Sequence, residues 1–396
     1  MELNIQTLYD DLMKLCSMDD TFYYKDVRLQ STSYRIFNYR LCNYAVFQSR
    51  PAALNCRGTM FNIANPKNIQ LVSLPLEKFF NYNEGFGRQQ FHQRGRFGDK
   101  MEKMDGTLIS TFIHRKSSHD ITVRLKSKQS LVSKQATEAA ELLTNDFQSE
   151  IERLVLQNYT INMEYTSPSN HVVVSYSEPK LSILSIRSHT TGESYFGTRL
   201  QAFFLENNFP TMFKYIVPFR SVPSHISHQE LLHSIEQEPF GEGYVIEIIH
   251  PNSPSYLVKI KTQKYLGLHR DGANANSDRS LFEAVIQEES DDLRGLFQND
   301  PEMLRRIDEM EQHVRPIYNH MIESIERFYR KNKHLSKGDF TKLISKTDNM
   351  EIYSTLLRRL FTGEDNDYKG FAMKHAKDLF GINGGDDNND DKKTRK

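Results

Sequence analysis

Residues 101–113 of the chain read Met-Glu-Lys-Met-Asp-Gly-Thr-Leu-Ile-Ser-Thr-Phe-Ile, and this stretch organises the interpretation of the whole sequence. Lys103 stands two residues before Asp105-Gly106, and an alternating, β-prone run over residues 107–113 follows at once. A lysine at the start of a strand, beside a carboxylate and a glycine turn, is well placed to act as an amine nucleophile. A surface lysine before an ordinary turn gives the same tetrapeptide, so other motifs must decide between the two.

The composition of the chain is typical of a soluble globular protein, with 38% hydrophobic and 26% charged residues. A length of 396 residues predicts two domains, because one hydrophobic core rarely grows beyond roughly 250–300 residues. No apolar run approaches the ~18 residues of a membrane span, and residues 1–4 lack the basic and apolar pattern of a signal peptide. We therefore expect a cytoplasmic protein with no membrane partner.

Charge and cysteine usage exclude several kinds of partner. The 51 Lys and Arg residues balance 51 Asp and Glu residues, so a nucleic acid must be bound by a local basic patch and not by the whole surface. The three cysteines, Cys16, Cys42 and Cys56, are odd in number and show no paired zinc spacing. We expect a reducing compartment, without a disulfide framework or a zinc site.

Apolar spacing predicts strands in the first two thirds of the chain and helices after it. Helical spacing covers residues 5–16 and 131–157, and strand-like runs cover residues 34–47, 107–113, 119–128, 160–166, 171–176, 181–187, 242–249 and 256–261. The pairs 107–113 with 119–128 and 242–249 with 256–261 are predicted hairpins. From residue 275 the pattern predicts a long helical region that Pro316 should kink or divide, then helices at 338–345, 350–361 and 368–380. The fold class is therefore α+β, with antiparallel sheets and flanking helices followed by an all-helical part from about residue 273.

Charged side chains on separate predicted strands are candidates for binding an anion. Arg57 precedes Gly58 before an apolar strand, and a guanidinium can fork phosphate or carboxylate oxygens. Glu164 faces away from the apolar side of its strand, where it either lines a cleft or is merely exposed. Lys259 and Lys261 share one strand face, which indicates an anion between them or protection of an edge strand.

Three other features stay open on the residues alone. Tyr39 either stacks on a base or belongs to an aromatic core, and Lys78 lies among aromatic residues. The Arg- and Gly-rich segment 85–98 is interpreted as a mobile loop with weak phosphate affinity. Three histidines have near-helical spacing but no evident fourth metal ligand, so a metal role is not favoured: His225, His228 and His233.

Taken in order, these features resemble the covalent nucleotidyltransferase superfamily of nucleic-acid ligases and capping enzymes. The ordered set is an arginine-glycine strand start, Lys-x-Asp-Gly, a strand glutamate, a Glu-Gly hairpin strand and a Lys-x-Lys strand. Flanking sequences narrow the resemblance to the phage RNA ligase 1 family: Thr32-Ser33-Tyr34-Arg35-Ile36-Phe37, Cys56-Arg57-Gly58-Thr59-Met60-Phe61, Glu77-Lys78-Phe79-Phe80-Asn81, Lys126-Ser127-Lys128, Glu242-Gly243-Tyr244-Val245, Lys259-Ile260-Lys261 with Tyr265, and Ser290-Asp291-Asp292-Leu293. The resemblance covers roughly residues 1–300, and the segments 85–98 and 196–239 and the tail depart from it.

The resemblance implies an ATP-dependent RNA ligase built on a nucleotidyltransferase (adenylation) domain. Lys103 would attack the α-phosphorus of ATP and become a lysyl-adenylate, AMP would pass to an RNA 5′-phosphate, and a 3′-hydroxyl would then displace AMP. The residues implied in catalysis are Lys103, Ser110, Lys128, Glu164, Glu242 and Tyr265. Those implied in ATP binding are Tyr39, Arg57, Lys78, Glu164, Lys259 and Lys261, with Glu164 accepting hydrogen bonds from the ribose hydroxyls.

The resemblance also implies a divalent cation, Mg²⁺ with Mn²⁺ as a substitute, that acts as a Lewis acid on the phosphates. Glu242 would serve this ion. Asp291 and Asp292 would bind a second one, unless they are only an acidic pair favoured by a helix dipole. The implied domains are 1–273 for adenylation, 274–380 for a helical domain with a role in RNA or tRNA specificity, and 381–396 for a disordered charged tail.

The expected partner is an RNA with 5′-phosphate and 3′-hydroxyl ends, such as a cleaved tRNA, bound by a monomer that acts in the host cytoplasm if it is phage-encoded. Two alternatives remain. A DNA ligase or mRNA-capping-type nucleotidyltransferase is disfavoured because no C-terminal OB-like strand pattern is present. A non-catalytic RNA-binding protein that kept the fold is disfavoured because five candidate site residues occur together: Lys103, Glu164, Glu242, Lys259 and Lys261.

Overall fold

The chain separates into two compact units, Met1–Leu268 and His269–Lys396. The sequence predicted the domain boundary near residue 273. The structure, a computed structural model, describes residues 2–47, 50–83, 94–115, 121–170, 174–251, 253–265, 267, 277–297 and 300–383. No helix in these ranges is both long and apolar enough to cross a membrane.

Strands of the first unit form three sheets, of four, five and five strands within the described residues. In chain order the strands are β1 (Phe22–Leu29), β2 (Thr32–Tyr39), β3 (Met60–Asn62), β4 (Gln70–Ser73), β5 (Phe80–Asn81), β6 (Arg96–Glu102), β7 (Thr107–Arg115), β8 (Ile121–Ser127), β9 (Tyr159–Thr166), β10 (Lys180–Ser188), β11 (Ser194–Tyr195), β12 (Phe219–Ser221), β13 (Gly243–His250) and β14 (Ser253–Lys261). The sheet orders are β1-β2-β3-β4, β11-β10-β9-β7-β8 and β12-β6-β13-β14-β5.

Both predicted hairpins are confirmed, because β7 pairs antiparallel with β8 and β13 pairs antiparallel with β14. The second sheet continues from β7 to β9, where Leu108 lies opposite Glu164. The third sheet joins β6 to β13, and its last pair, β14 with β5, is parallel. The connection from β6 to β7 therefore crosses between two sheets, and this connection carries Lys103.

Helices of the first unit cover the sheets through apolar faces. They are α1 (Ile5–Met18), α2 (Tyr44–Phe47), α3 (Lys134–Glu141), α4 (Asn145–Val155), α5 (Gly197–Glu206), α6 (Pro210–Phe213) and α7 (His228–Glu236). Leu8, Leu12 and Leu15 of α1 are buried at helical spacing and share a core with β2. The helices α3 to α6 pack on the second sheet, and α7 packs on the third. Burial of these faces is the main source of their stability, since isolated helices of this length are marginal.

Two strand predictions need correction. The predicted strand 34–47 ends at Tyr39 and is followed by α2, because the backbone turns at Leu41, whose φ is 43°. Of the predicted strand 171–176, only residues 174–176 are described, and they are not in a strand. The backbone N–H of Val174 donates to the Asp105 carboxylate instead of to a neighbouring strand. The predicted helical region 131–157 consists of α3 and α4 with a break between them.

The second unit is helical within its described residues, which confirms the α+β class. Its helices are α8 (Asp278–Gln287), α9 (Ser290–Leu296), α10 (Pro301–Asn332), α11 (Lys337–Lys346), α12 (Ser354–Thr362), α13 (Tyr368–Lys374) and α14 (Ala376–Phe380). Pro316 lies inside α10 and does not divide it, which corrects that part of the prediction. Buried residues on both sides, such as Val314 and Tyr318, hold the helix against its neighbours. The predicted disordered tail falls almost wholly outside the described residues.

Candidate active site

Lys103 lies directly after β6, and its backbone N–H donates to the carbonyl of Gly243 at 2.9 Å. This bond extends the β6–β13 pairing up to the lysine and fixes it beside the start of β13. The Lys103 Nζ lies 2.5 Å from Oε1 of Glu242, and the Lys261 Nζ lies 3.4 Å from the same oxygen. Glu242 is buried, whereas 22% of the Lys103 side chain is exposed. One carboxylate oxygen thus holds two ammonium groups, and the candidate nucleophile stays accessible.

The turn after Lys103 is locked by a neighbouring loop. The Asp105 carboxylate is buried and accepts from the N–H of Val174 at 2.8 Å, while the Asp105 N–H donates to the Tyr176 hydroxyl at 2.9 Å. A Cβ added at Gly106 would lie 2.3 Å from the carbonyl oxygen of Tyr165. Only glycine therefore fits this turn, which explains the Asp-Gly pair in physical terms.

Tyr176 belongs to the same group of ionisable side chains. Burial raises the pKa of Tyr176 to about 12, and the nearby carboxylates of Asp105, Glu242 and Glu164 act in the same direction. The phenol therefore stays protonated at neutral pH and keeps its hydrogen-bonding role. The sequence offered no signal for this residue, because its partner Asp105 lies 71 positions away.

Glu164 on β9 is the second carboxylate of the site. Burial of the carboxyl group raises the pKa of Glu164 to about 7; Lys103 and Arg57 oppose this rise, and Glu242 adds to it. Part of the side chain remains accessible to solvent, although the carboxyl group is surrounded by protein. Glu164 thus lies within electrostatic reach of the candidate nucleophile.

One carboxylate oxygen of the site is available to a cation. Oε2 of Glu242 is buried and has no hydrogen-bond partner among the described residues. A buried carboxylate oxygen without a donor is costly, and an oxygen ligand of this kind suits a hard divalent ion. No group of three or more His, Cys, Asp or Glu side chains is arranged around a metal position in the described parts of the chain. The donor set fits an ion that shares its remaining ligands with phosphates and water.

Arg57 follows the 3₁₀ helix Pro51–Asn55, and its Nη1 atom is buried without a hydrogen-bond partner within the described residues. The next residue, Gly58, has φ of 94° and packs so closely that an added Cβ would lie 2.9 Å from the Lys128 carbonyl oxygen. The Lys126 Nζ donates to the Gly58 carbonyl at 2.7 Å. Arg57 is therefore held on a rigid turn with one donor left for a ligand.

Lys126 is fully buried, although strand alternation grouped it with polar residues. Burial lowers the pKa of Lys126 to about 7. Its partner carbonyl on Gly58 lies 68 positions away in the sequence, so the alternation of β8 carries no signal for this contact. Lys126 was not among the predicted site residues. It anchors the carbonyl of Gly58, which directly follows the predicted residue Arg57.

The ring of Tyr39 lies near two of the predicted lysines, Lys78 and Lys128. Its ring is buried at the end of β2, with the Lys128 Nζ 4.6 Å and the Lys78 Nζ 5.4 Å from the ring centroid. Tyr39 also packs edge-on against Phe47, so the ring belongs to an aromatic core, and stacking on a base stays a prediction. Two ammonium groups near one ring create a positive region suited to phosphate oxygens.

The remaining predicted residues of the first unit lie on the same sheets. Ser110 is buried on β7 and donates to Asn162 Oδ1 at 2.9 Å, a structural contact inside the second sheet. The Tyr265 ring is buried 4.6 Å from the Lys261 Nζ. Lys259 lies beside Val245 and Asn81 in the third sheet.

Asp291 and Asp292 lie in the first turn of α9, in the second unit, whereas Lys103 belongs to the first unit. Ser290, directly before them, donates to Glu311 at 2.5 Å. Elsewhere, Nδ1 of His228, the first residue of α7, lies 2.7 Å from the Tyr82 hydroxyl, a structural contact beside the third sheet. Of the predicted mobile loop 85–98, residues 85–93 fall outside the described residues, and residues 96–98 form the start of β6, so this part of the prediction is wrong.

Comparison with known sequences bears on this arrangement. The model of a family described as RNA ligase matches residues 55–265, and that of the T4 RNA ligase 1 C-terminal domain matches residues 272–372. A protein of Autographa californica nuclear polyhedrosis virus, provisionally named a bifunctional polynucleotide kinase/RNA ligase, is 26% identical over 290 residues. That match covers 68% of this chain and 39% of the viral protein, so the chain spans well under half of that relative.

A protein of Thermovibrio ammonificans, provisionally named an RNA ligase, is 24% identical over 282 residues, which is 70% of this chain and 69% of that one. Among solved structures, an archaeal ATP-dependent RNA ligase superposes with a TM-score of 0.46 at 13% identity, over 92% of this chain and 100% of that one. A Naegleria gruberi RNA ligase variant with ATP and Mn superposes with a TM-score of 0.39 at 12% identity, over 68% of this chain and 84% of that one. Because the RNA ligase model covers more than half of the sequence, the chain belongs to the T4 RNA ligase 1 family of RNA ligases.

Proposed function

We propose that this protein is an ATP-dependent RNA ligase that joins 5′-phosphate and 3′-hydroxyl RNA ends through lysyl-adenylate and RNA-adenylate intermediates. The observation that carries the proposal is the contact of Lys103 Nζ with Glu242 Oε1 at 2.5 Å, beside Lys261 and next to a rigid Asp-Gly turn. An accessible lysine paired with a buried carboxylate has both the nucleophile and a proton acceptor within hydrogen-bonding distance.

In the first step the Lys103 amine must be neutral, and Oε1 of Glu242 is placed to take its proton. The amine then forms a bond to the α-phosphorus of ATP while the bond from that phosphorus to the bridging oxygen breaks and pyrophosphate leaves. Arg57, Lys259 and Lys261 would neutralise the phosphates and the charge that develops at phosphorus. Lys78 would bind the phosphates, and Tyr39, whose ring lies near Lys78 and Lys128, would form part of the adenosine site.

Glu164 would recognise the ribose. An ionised carboxylate accepts two hydrogen bonds, which suits the paired hydroxyls of a ribonucleotide. With its pKa raised to about 7, Glu164 is partly ionised at neutral pH. The nearby positive charges of Lys103 and Arg57 favour its ionised form, which would accept the ribose hydrogen bonds.

Glu242, through its unpartnered Oε2, would hold Mg²⁺ or Mn²⁺, and such an ion supplies charge neutralisation and orientation at the phosphates. We propose Asp291 and Asp292 as ligands of a second cation.

In the later steps the RNA 5′-phosphate oxygen displaces Lys103 from AMP, and a 3′-hydroxyl then displaces AMP and seals the strand. Lys128 and Tyr265 are proposed to act in these transfers, and Ser110 to support the sheet beneath them. The helical domain over residues 274–380 is proposed to select the RNA, for example a cleaved tRNA. We further propose a cytoplasmic monomer, in the host cell if the protein is phage-encoded.

The test is incubation with α-labelled ATP, GTP or NAD and Mg²⁺, followed by a denaturing gel. We expect label on the protein from ATP alone, lost in Lys103→Ala and kept in Lys134→Ala, which removes an exposed lysine of α3. Label from GTP only would indicate capping chemistry, and no label would contradict every catalytic interpretation. Circularisation of a 5′-phosphorylated RNA, compared with sealing of nicked duplex DNA, then distinguishes an RNA ligase from a DNA ligase.

A further inference from the structure

Phe240 stands two residues before Glu242, yet 78% of its surface is exposed, a larger fraction than for any other large apolar side chain in the described part of the chain. Gly241, between them, has φ of 82°, which belongs to the left-handed region that glycine adopts freely. The backbone thus bends between a buried carboxylate that contacts Lys103 and an exposed aromatic ring.

A cation lies beside this ring. The Lys264 Nζ is 5.0 Å from the centroid of Phe240, and Lys264 itself is exposed. The next residue, Tyr265, is buried against Lys261, which contacts Glu242. The exposed ring and the exposed ammonium group therefore adjoin, along the chain, the residues assigned to the reaction.

Thr262 fixes the two segments to each other. Its N–H donates to the Glu242 carbonyl at 3.1 Å, and its hydroxyl donates to the Gly241 carbonyl at 3.0 Å. The same hydroxyl accepts from the Tyr265 N–H at 3.1 Å. Because Thr262 is fully buried, these bonds hold the Phe240 and Lys264 backbones in one arrangement.

We propose that Phe240 and Lys264 form a subsite for the RNA strand, in which a base stacks on the Phe240 ring and a backbone phosphate contacts the Lys264 ammonium. Aromatic platforms flanked by cations are a common means of binding single-stranded nucleic acid. The adenine of ATP is not expected to bind here, because small-molecule sites enclose most of their ligand and the Phe240 ring is exposed to solvent. The subsite rests on the proposed function, because the RNA must reach Lys103.

The test compares Phe240→Ala, Phe240→Leu and Phe240→Trp, with Leu205→Ala as a control at an exposed apolar residue of α5. Fluorescence anisotropy with a labelled 5′-phosphorylated single-stranded RNA measures affinity. We expect alanine and leucine to weaken binding by roughly tenfold to a hundredfold, and tryptophan and the control to bind within about twofold of the unsubstituted protein. Equal RNA binding by all variants would overturn the subsite. Full affinity in Phe240→Leu would also overturn it, since that result indicates an apolar protein contact.

Lys264 gives a second, independent measurement. Lys264→Ala should reduce the slope of log affinity against log salt by about one, because one phosphate contact is lost, and Lys264→Arg should retain the slope. An unchanged slope in Lys264→Ala would contradict the phosphate contact.

Labelling with α-labelled ATP separates this proposal from the proposed function. If the unsubstituted protein forms no adenylate, the ligase assignment fails. If Phe240→Ala forms the adenylate and still binds RNA normally, only the subsite fails. A rise of the KM for ATP in Phe240→Ala, without loss of RNA affinity, would assign the ring to the nucleotide and overturn the RNA subsite.

Discussion

Replacing the buried Lys126 by methionine tests how the Arg57 turn is held. Methionine is unbranched and apolar, so it fills much of the same space without a charge. The substitution removes the donor to the Gly58 carbonyl at 2.7 Å and to the Ser127 carbonyl at 3.3 Å. We expect the KM for ATP to rise, because Arg57 precedes the carbonyl that loses its tether.

The effect on stability follows from the pKa of Lys126, which burial lowers to about 7 from an ordinary value of 10.5. Between these two values the unfolded chain binds more protons than the folded one at this side chain. Its contribution to the free energy of unfolding therefore rises with pH, by about 2 kcal/mol between pH 7 and pH 9. In a domain of this size that corresponds to a shift in Tm of about 4 °C.

Thermal unfolding of the unsubstituted protein, Lys126→Met and the exposed-site control Lys134→Met at pH 7, 8 and 9 measures this contribution. As the pH rises, the Tm of the unsubstituted protein should increase relative to that of Lys126→Met. The Tm difference between the unsubstituted protein and Lys134→Met should stay constant. Comparing variants at each pH cancels the titration of all other groups. A difference between the unsubstituted protein and Lys126→Met that stays constant would refute the reasoning.

Three further outcomes are expected in the ATP-labelling assay. Gly106→Ala should abolish labelling because its Cβ would lie 2.3 Å from a backbone oxygen, whereas Gly295→Ala, with open space at that position, should label normally. Glu164→Gln should lose the rise of kcat/KM for ATP near pH 7, since burial raises the pKa of Glu164 to about 7; an unchanged profile would count against the ribose role. Tyr176→Phe should lower kcat without raising KM, because the Asp105 N–H loses its acceptor, and the reverse pattern would disprove that role.

Local patterns in the sequence predicted the local parts of the fold. The alternation in β7 with β8 and in β13 with β14 identified both hairpins, because side chains on a strand alternate between its faces. The same alternation misplaced Lys126, since a period of two assigns a face but does not say what covers it. The covering group, Gly58, comes from a distant turn.

The site was predicted as a set of residues but not as a geometry. The ammonium groups of Lys103 and Lys261 meet at the carboxylate of Glu242. The order of motifs along the chain indicated all three residues. The supporting contact of Tyr176 with Asp105 depends on a loop where the sequence predicted a strand. In α10 the apolar stripe outweighs the cost of Pro316, a balance of packing against one lost hydrogen bond that spacing alone does not reveal.

Locating the AMP on the protein tests the central claim most directly. After incubation with ATP and Mg²⁺, the protein is digested and the modified peptide is identified by mass spectrometry. AMP on Lys103, through a bond stable to base and labile to acid as expected of a phosphoramidate, is the predicted result. AMP on Lys261 or another lysine, or no AMP on a protein that nevertheless seals RNA, would contradict the account.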